Sequence, residues 1–400
     1  MRWIAFLETL FLAVSCFFGS LFNLPDRNVQ DLIEQNGGFF YGICHPNEDY
    51  EMLRDAGLQW VRFDIPYPYN QAGGISQHYL DFKARAKGYT DRGFKVMAVT
   101  PYPKDYFNIG GFNPIEDVKR TQEIAVFLYQ DLKDITGAFQ ITNEMGMEGF
   151  TKPLTLEEAA VFIGIQLEAL DKVTENFPIG YNSADMSRNL HKLMKPYRKY
   201  CDYVGIDLYT GNQGNAEAGA YTKKVRELYR ITCKPIIIQE FGFWSEGGPK
   251  TAEQKVEILA YYGYASEAEA IADGAAFIRK LPTQFQQRLK DGYPNEEEHW
   301  AEIVFSKEYR HFYGETAAET IENIPHTPEG QAEYFKRVMG ELRKLKCLAG
   351  MMIYCCQDMP FCYNCGHTWC PFETKWGLFN PDGTPKPAYY AVKEIITGNR

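Results

Sequence analysis

The 400-residue sequence predicts a (β/α)8 barrel, on three observations. From residue 39 onward, eight short apolar runs alternate with longer amphipathic stretches, the rhythm of a strand followed each time by a helix. Runs such as PIIIQ and LAGMMIY are apolar at nearly every position, as in parallel strands buried on both faces. No Gly-rich phosphate turn follows the first run, which sets aside a doubly wound open sheet.

The strands are expected at 39–44, 58–65, 94–100, 138–142, 178–182, 203–209, 235–239 and 348–354. The intervening helices carry start signals. Asn113-Pro114 pairs an N-cap with proline at the first helical position and opens a stretch to about residue 136. Thr155-Leu156-Glu157-Glu158 is a capping box heading a helix to about residue 176. Thr327-Pro328 opens another, to about residue 346, and Lys386-Pro387 the last. After the seventh strand the rhythm breaks. About 85 residues, 243–326, separate it from its helix, too many for a βα loop. Helical spacing at 251–260 and 267–281 makes this a helical insertion at the C-terminal face of the barrel, where sites form. It is either a wall or lid of the site or a decoration away from it. The barrel domain accordingly runs over 25–400, after a separate segment 1–24.

Composition narrows the partners. Forty-two Lys+Arg against 52 Asp+Glu give a net charge of −10, so no nucleic-acid partner is expected, since phosphates require a basic face. Aromatic residues reach 15%, with 27 Tyr, 27 Phe and 6 Trp; core packing can absorb many of them, and a binding surface with polar handles is the other use. The run 3–24 is almost wholly apolar and follows Arg2. It reads as a signal peptide, a membrane anchor or a docked helix; Glu8 within it disfavours the first two. Export or membrane association through 3–24 is slightly favoured over a cytoplasmic location.

The chemistry lies in two glutamates. The fourth strand runs into Thr142-Asn143-Glu144 and the seventh into Gln239-Glu240-Phe241-Gly242. Strands four and seven lie on opposite sides of a closed eight-stranded ring, so the two carboxyls can face each other across its mouth. Glycoside hydrolysis needs such a pair, one to protonate the leaving oxygen and one to attack or stabilise the anomeric carbon.

On these motifs the sequence resembles the clan A retaining glycoside hydrolases, which include the family 5 cellulases and mannanases and the family 39 xylosidases. The resemblance implies that Glu144 is the acid/base, Glu240 the nucleophile, and Asn143 a partner of the sugar 2-hydroxyl. Asp55-Ala56-Gly57-Leu58-Gln59-Trp60-Val61-Arg62 looks like the clan's entry into strand two. Arg62 there would help hold the nucleophile ionised. Tyr209, ending Gly205-Ile206-Asp207-Leu208-Tyr209, resembles the strand-six tyrosine that bonds the nucleophile. The segment from Trp376 to Tyr389 resembles the passage from strand eight into helix eight. The family 5 histidines after strands three and five are missing, as is the strand-eight tryptophan, for which Trp244, Trp369 or Trp376 could substitute. His45, after the first strand, is placed as a substrate contact or a cap; Asp64, Tyr67 and Tyr69 are placed at one edge of the cleft.

Cys362-Tyr363-Asn364-Cys365-Gly366-His367-Thr368-Trp369-Cys370 reads three ways: packed thiols, disulfides, or a metal site using the nearby His367. No metal ligand and no cofactor are assigned to the reaction. The expected protein is a retaining β-glycosidase acting on a neutral oligo- or polysaccharide. A transglycosylase with the same residues and an inactive carbohydrate-binding barrel are the alternatives.

Overall fold

A computed structural model describes residues 27–306 and 309–398; the apolar segment 1–24 lies outside the described residues. Eight parallel strands close into a barrel in chain order: β1 Phe40–Cys44, β2 Trp60–Asp64, β3 Lys95–Val99, β4 Ala138–Met145, β5 Ile179–Ala184, β6 Tyr203–Leu208, β7 Ile236–Phe241 and β8 Leu348–Ile353. The last pairs with the first, Phe40 opposite Gly350. The chain is thus a (β/α)8 barrel. Most expected strands end within two residues of the observed ones. The exception is β4, which runs three residues further; the strands beside Pro178 and Pro235 begin one residue later, proline having no N–H for the ladder.

Two layers of core hold the barrel. The larger packs the outward faces of the strands against the helices. The smaller fills the interior with Phe40, Trp60, Met97, Tyr203 and Met352. Val29 and Leu32 of the helix Arg27–Gln35 join that interior cluster, so this helix plugs the end of the barrel opposite its mouth.

The helix starts follow the predicted caps, with one correction. Thr155 and Glu158 form the expected reciprocal capping box on Leu156–Asp171, and the Thr327 hydroxyl accepts from the Gly330 N–H to cap Pro328–Leu342. Pro387–Thr397 begins as expected. Asn113-Pro114 does not open a helix. The Asn113 side chain accepts from the Ile115 N–H in a local turn, and Asp117 caps the helix Val118–Leu132 instead. The helices Val118–Leu132, Leu156–Asp171 and Pro328–Leu342 all end four or five residues short of the expected limit.

Segment 243–326 holds the helices Ala252–Tyr261, Glu267–Asp273, Ala275–Lys280, Thr283–Gly292 and Trp300–Val304. The expected continuous helix over 267–281 is broken at Gly274, which has φ 52°. These helices build a core of their own around Tyr262, Phe277, Phe285 and Phe312, which also takes in Cys362, Cys365 and Cys370 from the loop after β8. Among the described residues no helix is long and apolar enough to cross a membrane.

Candidate active site

Strict alternation along a strand sends neighbouring residues to opposite faces, yet at the barrel mouth several neighbours point the same way. On β7, Ile237 packs in the barrel interior and Gln239 reaches the Tyr203 hydroxyl there. In the β6–β7 ladder Ile206 pairs with Ile238, but Asp207 pairs with Glu240, so Gln239 is an extra residue. That bulge lets Glu240 turn to the mouth as well. On β4 the ladder to β5 is interrupted between Ile141 and Met145, and Thr142 and Glu144 take φ of 57° and 46°. Gln140, Asn143 and Glu144 consequently all serve the same space.

One buried guanidinium organises the site. Arg62 donates from Nη1 to Glu240 Oε1 at 2.7 Å, from Nη2 to Asn143 Oδ1 at 2.5 Å and from Nε to Gln140 Oε1 at 2.7 Å. Asn143 Oδ1 also accepts from Gln140 Nε2 at 2.9 Å and from Asn182 Nδ2 at 3.1 Å. Asn182 Nδ2 further donates to Asp207 Oδ2 at 2.8 Å, while its Oδ1 accepts from the Glu144 N–H at 2.8 Å. Tyr209 donates its hydroxyl to Glu240 Oε2 at 2.7 Å. Sequence reasoning found Arg62, Asn143, Tyr209 and both glutamates, and the structure brings all five together. It did not single out Gln140, Asn182 and Asp207. The signal was present: a polar side chain at alternate positions of a strand otherwise buried on both faces.

Burial raises two of the carboxyls. Burial, and then the charge of Glu240, push Glu144 up to about 8, against the opposing pull of Arg62. The same two causes, in the same order, hold Asp207 well above the carboxylate range. Burial likewise raises Tyr209 well above the ordinary phenol range, so it remains a hydrogen-bond donor. Glu144, Asp207 and Glu240 each offer an oxygen within 4.8 Å of the others. Protein groups already answer two of them: Arg62 and Tyr209 on Glu240, Asn182 on Asp207.

These groups open into a cavity of about 710 Å³. His45, Tyr102 and Trp376 line it, and among the lining residues the sequence does not point to are Tyr354 just after β8 and Tyr363 and Glu373 from the segment that follows. Trp376 stands 5.0 Å from Tyr209 and 5.6 Å from Tyr354, ring centre to ring centre, and Tyr354 lies edge-on to His45. Tyr354 thus occupies the strand-eight end where a tryptophan was sought. Trp244 is buried behind Trp376, at 4.7 Å, and does not line the cavity. Trp369 stacks on His367 within the core of segment 243–326. Asp64 lines the cavity and accepts from the Tyr102 hydroxyl, but Tyr67 and Tyr69 line a separate groove with Arg120. Of segment 243–326, Arg288 reaches the cavity.

Ionisable groups gathered at the carboxyl ends of a closed parallel barrel define the general class, a (β/α)8 protein with an enzyme-like site. Among solved structures the chain is similar to the Ignisphaera aggregans GH53 catalytic domain, with a TM-score of 0.54 and 14% identity over 90% of this chain and 96% of that one. It is also similar to an Eisenbergiella tayi GH2 β-galacturonidase, at TM-score 0.50 and 13% identity, and to an uncultured Clostridium sp. β-glucuronidase, at 0.50 and 14%. Each of these matches covers 90% of this chain, which spans about half the length of the latter two, 51% and 50%. At these identities the likeness is one of fold. No family model matches the sequence, and no curated protein does.

Proposed function

We propose that this protein is a retaining β-glycoside hydrolase that cleaves O-glycosidic bonds of a neutral oligo- or polysaccharide by double displacement. One observation carries the reading: Glu144 and Glu240 present oxygens within 4.8 Å across the mouth, with Arg62 and Tyr209 on Glu240 and a proton favoured on Glu144. Retaining enzymes hold their carboxyls about 5–5.5 Å apart, whereas inverting ones need roughly 6.5–9.5 Å to admit a water. Solved barrels of similar fold include proteins described as glycosidases, which accords with this assignment.

In the first step Glu240 forms a bond to the anomeric carbon as the glycosidic C–O bond breaks, and Glu144 gives its proton to the departing oxygen. In the second, water attacks the anomeric carbon, its proton passes to Glu144, and Glu240 is released as carboxylate. Arg62 holds Oε1, so we assign the attack to Oε2, on which the Tyr209 phenol is the one donor among the described residues. Asn143 receives three donors on its oxygen, which leaves its amide nitrogen for a sugar hydroxyl. A transglycosylase would use the same steps with a sugar acceptor in place of water.

Trapping with 2-fluoro aryl glycosides of gluco, manno, galacto, xylo and glucurono configuration tests this. The expected result is a covalent label on the peptide containing Glu240, from which the reactive configuration also names the glycone. No label from any of them, together with no cleavage of a polysaccharide panel, would leave a carbohydrate-binding barrel.

A further inference from the structure

A second cluster of chemistry-bearing side chains lies outside the glutamate site, buried behind Tyr363, Asn364 and Phe372, which line the cavity. Cys362, Cys365 and Cys370 come from the loop after β8, and His311 from segment 243–326. One ligand atom from each lies within 4.8 Å of the other three. The three cysteines form no disulfide with one another, and all are fully buried.

The local backbone is shaped to aim these atoms together. The Cys365 N–H and the Gly366 N–H both donate to the Cys362 carbonyl, at 3.3 and 2.6 Å, closing a tight turn that turns both thiols to one side. Gly366 has φ 77°, and a Cβ there would stand 2.4 Å from Pro282 Cβ, so the turn needs glycine. His311 leans on Phe372, ring centres 4.6 Å apart, with Nδ1 3.5 Å from Cys370 Sγ. A tetrahedral zinc ion has bonds of about 2.3 Å to sulfur and about 2.0–2.1 Å to nitrogen, which sets a sulfur-to-nitrogen edge of about 3.6 Å. The observed edge agrees.

The histidine expected from sequence spacing is not the fourth ligand. His367 has both ring nitrogens engaged, Nε2 with the Tyr262 hydroxyl at 2.7 Å and Nδ1 with the His311 carbonyl at 3.4 Å, and its ring stacks on Trp369. It positions the His311 backbone instead. A disulfide would use only two of the three sulfurs and would leave the imidazole with no role, whereas a soft, tetrahedral-preferring cation uses all four.

We propose that His311, Cys362, Cys365 and Cys370 form a structural zinc site that staples segment 243–326 to the loop after β8. On binding, each thiol loses its proton to solvent and the metal takes the three thiolates and the imidazole. The loop so fixed carries Tyr363 and Glu373 into the cavity, so the metal sets one wall of the site without touching its chemistry.

Elemental analysis of the full chain, expressed in zinc-supplemented medium and purified under reducing conditions, should return about one zinc per chain. Replacing zinc with cobalt should give thiolate charge-transfer bands and the visible bands of a tetrahedral ion. His311→Ala and Cys365→Ser should reduce the metal to background, while His367→Gln should retain it. Should the variants fail to fold, the cobalt spectrum of the unaltered chain decides. Absence of metal both as purified and after zinc or cobalt addition to reduced protein, or a disulfide among these three cysteines in that protein, would overturn the assignment.

Discussion

Glu144 and Glu240 are both glutamates at strand ends, and their surroundings alone make them different. The Glu240 carboxylate meets a guanidinium and a phenol, whereas Glu144 receives neither and is pushed up to about 8 by burial and by Glu240 itself. Glu144 then holds its proton at neutral pH and loses it as pH rises through that value, so the rate should fall along an alkaline limb near about 8. Glu144→Gln should lower kcat by about 10²–10⁴-fold on substrates with poor leaving groups and abolish that limb, as steady-state pH profiles will show. Tyr209→Phe leaves the Glu240 ion pair to Arg62 in place and removes one hydrogen bond from Oε2. A fall in kcat with little change in KM is the expected outcome, measured on the same substrates. Of the five residues at this centre, the two glutamates were legible because each closes an apolar run, and Arg62, Asn143 and Tyr209 through the resemblance their motifs bear to known glycosidases. Tyr363 and Glu373 were not, since they sit in a loop whose course depends on the packing of a distant segment.

At the scale of single elements, the strands could be read because two-sided burial leaves an uninterrupted apolar run, and the helices because Thr155, Thr327 and Lys386-Pro387 mark their starts. The bulges could not. A strand read by alternation would put Glu240 outside if Gln239 is inside, and only the observed register shift reconciles them. Gly205 on β6 is the counterpart of that bulge. A Cβ at this position would lie 1.6 Å from Gln239 Oε1, so the glutamine side chain crosses the barrel through space that only glycine leaves open. Gly205→Ala should destabilise the fold by about 1–3 kcal/mol through overpacking, read from denaturant unfolding, and lower activity as Gln239 and its neighbour Glu240 shift. The pairing of His311 with the cysteine loop was likewise beyond local pattern, because the residues that meet are 59 apart for His311 and Cys370.

Taken as a whole, the two largest cores among the described residues are the barrel with its helices and the packed segment 243–326 joined to the loop after β8. The active-site cavity lies where they meet, which is why the barrel was predictable from rhythm and the shape of the cavity was not. Stability should carry the mark of the buried acids. A carboxyl whose value rises on folding stabilises fully below its unfolded value of 4.5, and that contribution is lost as pH rises toward the folded value of about 8. The unaltered chain should therefore lose thermal stability across that interval, and Glu144→Gln should lose less, a comparison differential scanning calorimetry makes directly. Arg62 acts mechanically as well as electrostatically. From β2 it ties to β4 through Gln140 and Asn143 and to β7 through Glu240, and Asn182 extends the tie to β5 and β6. Five of the eight staves of the barrel are thus spoked to one hub. Loops around the rim are free to diverge and change what is gripped, but loss of the hub would slacken the ring and scatter the reacting groups together.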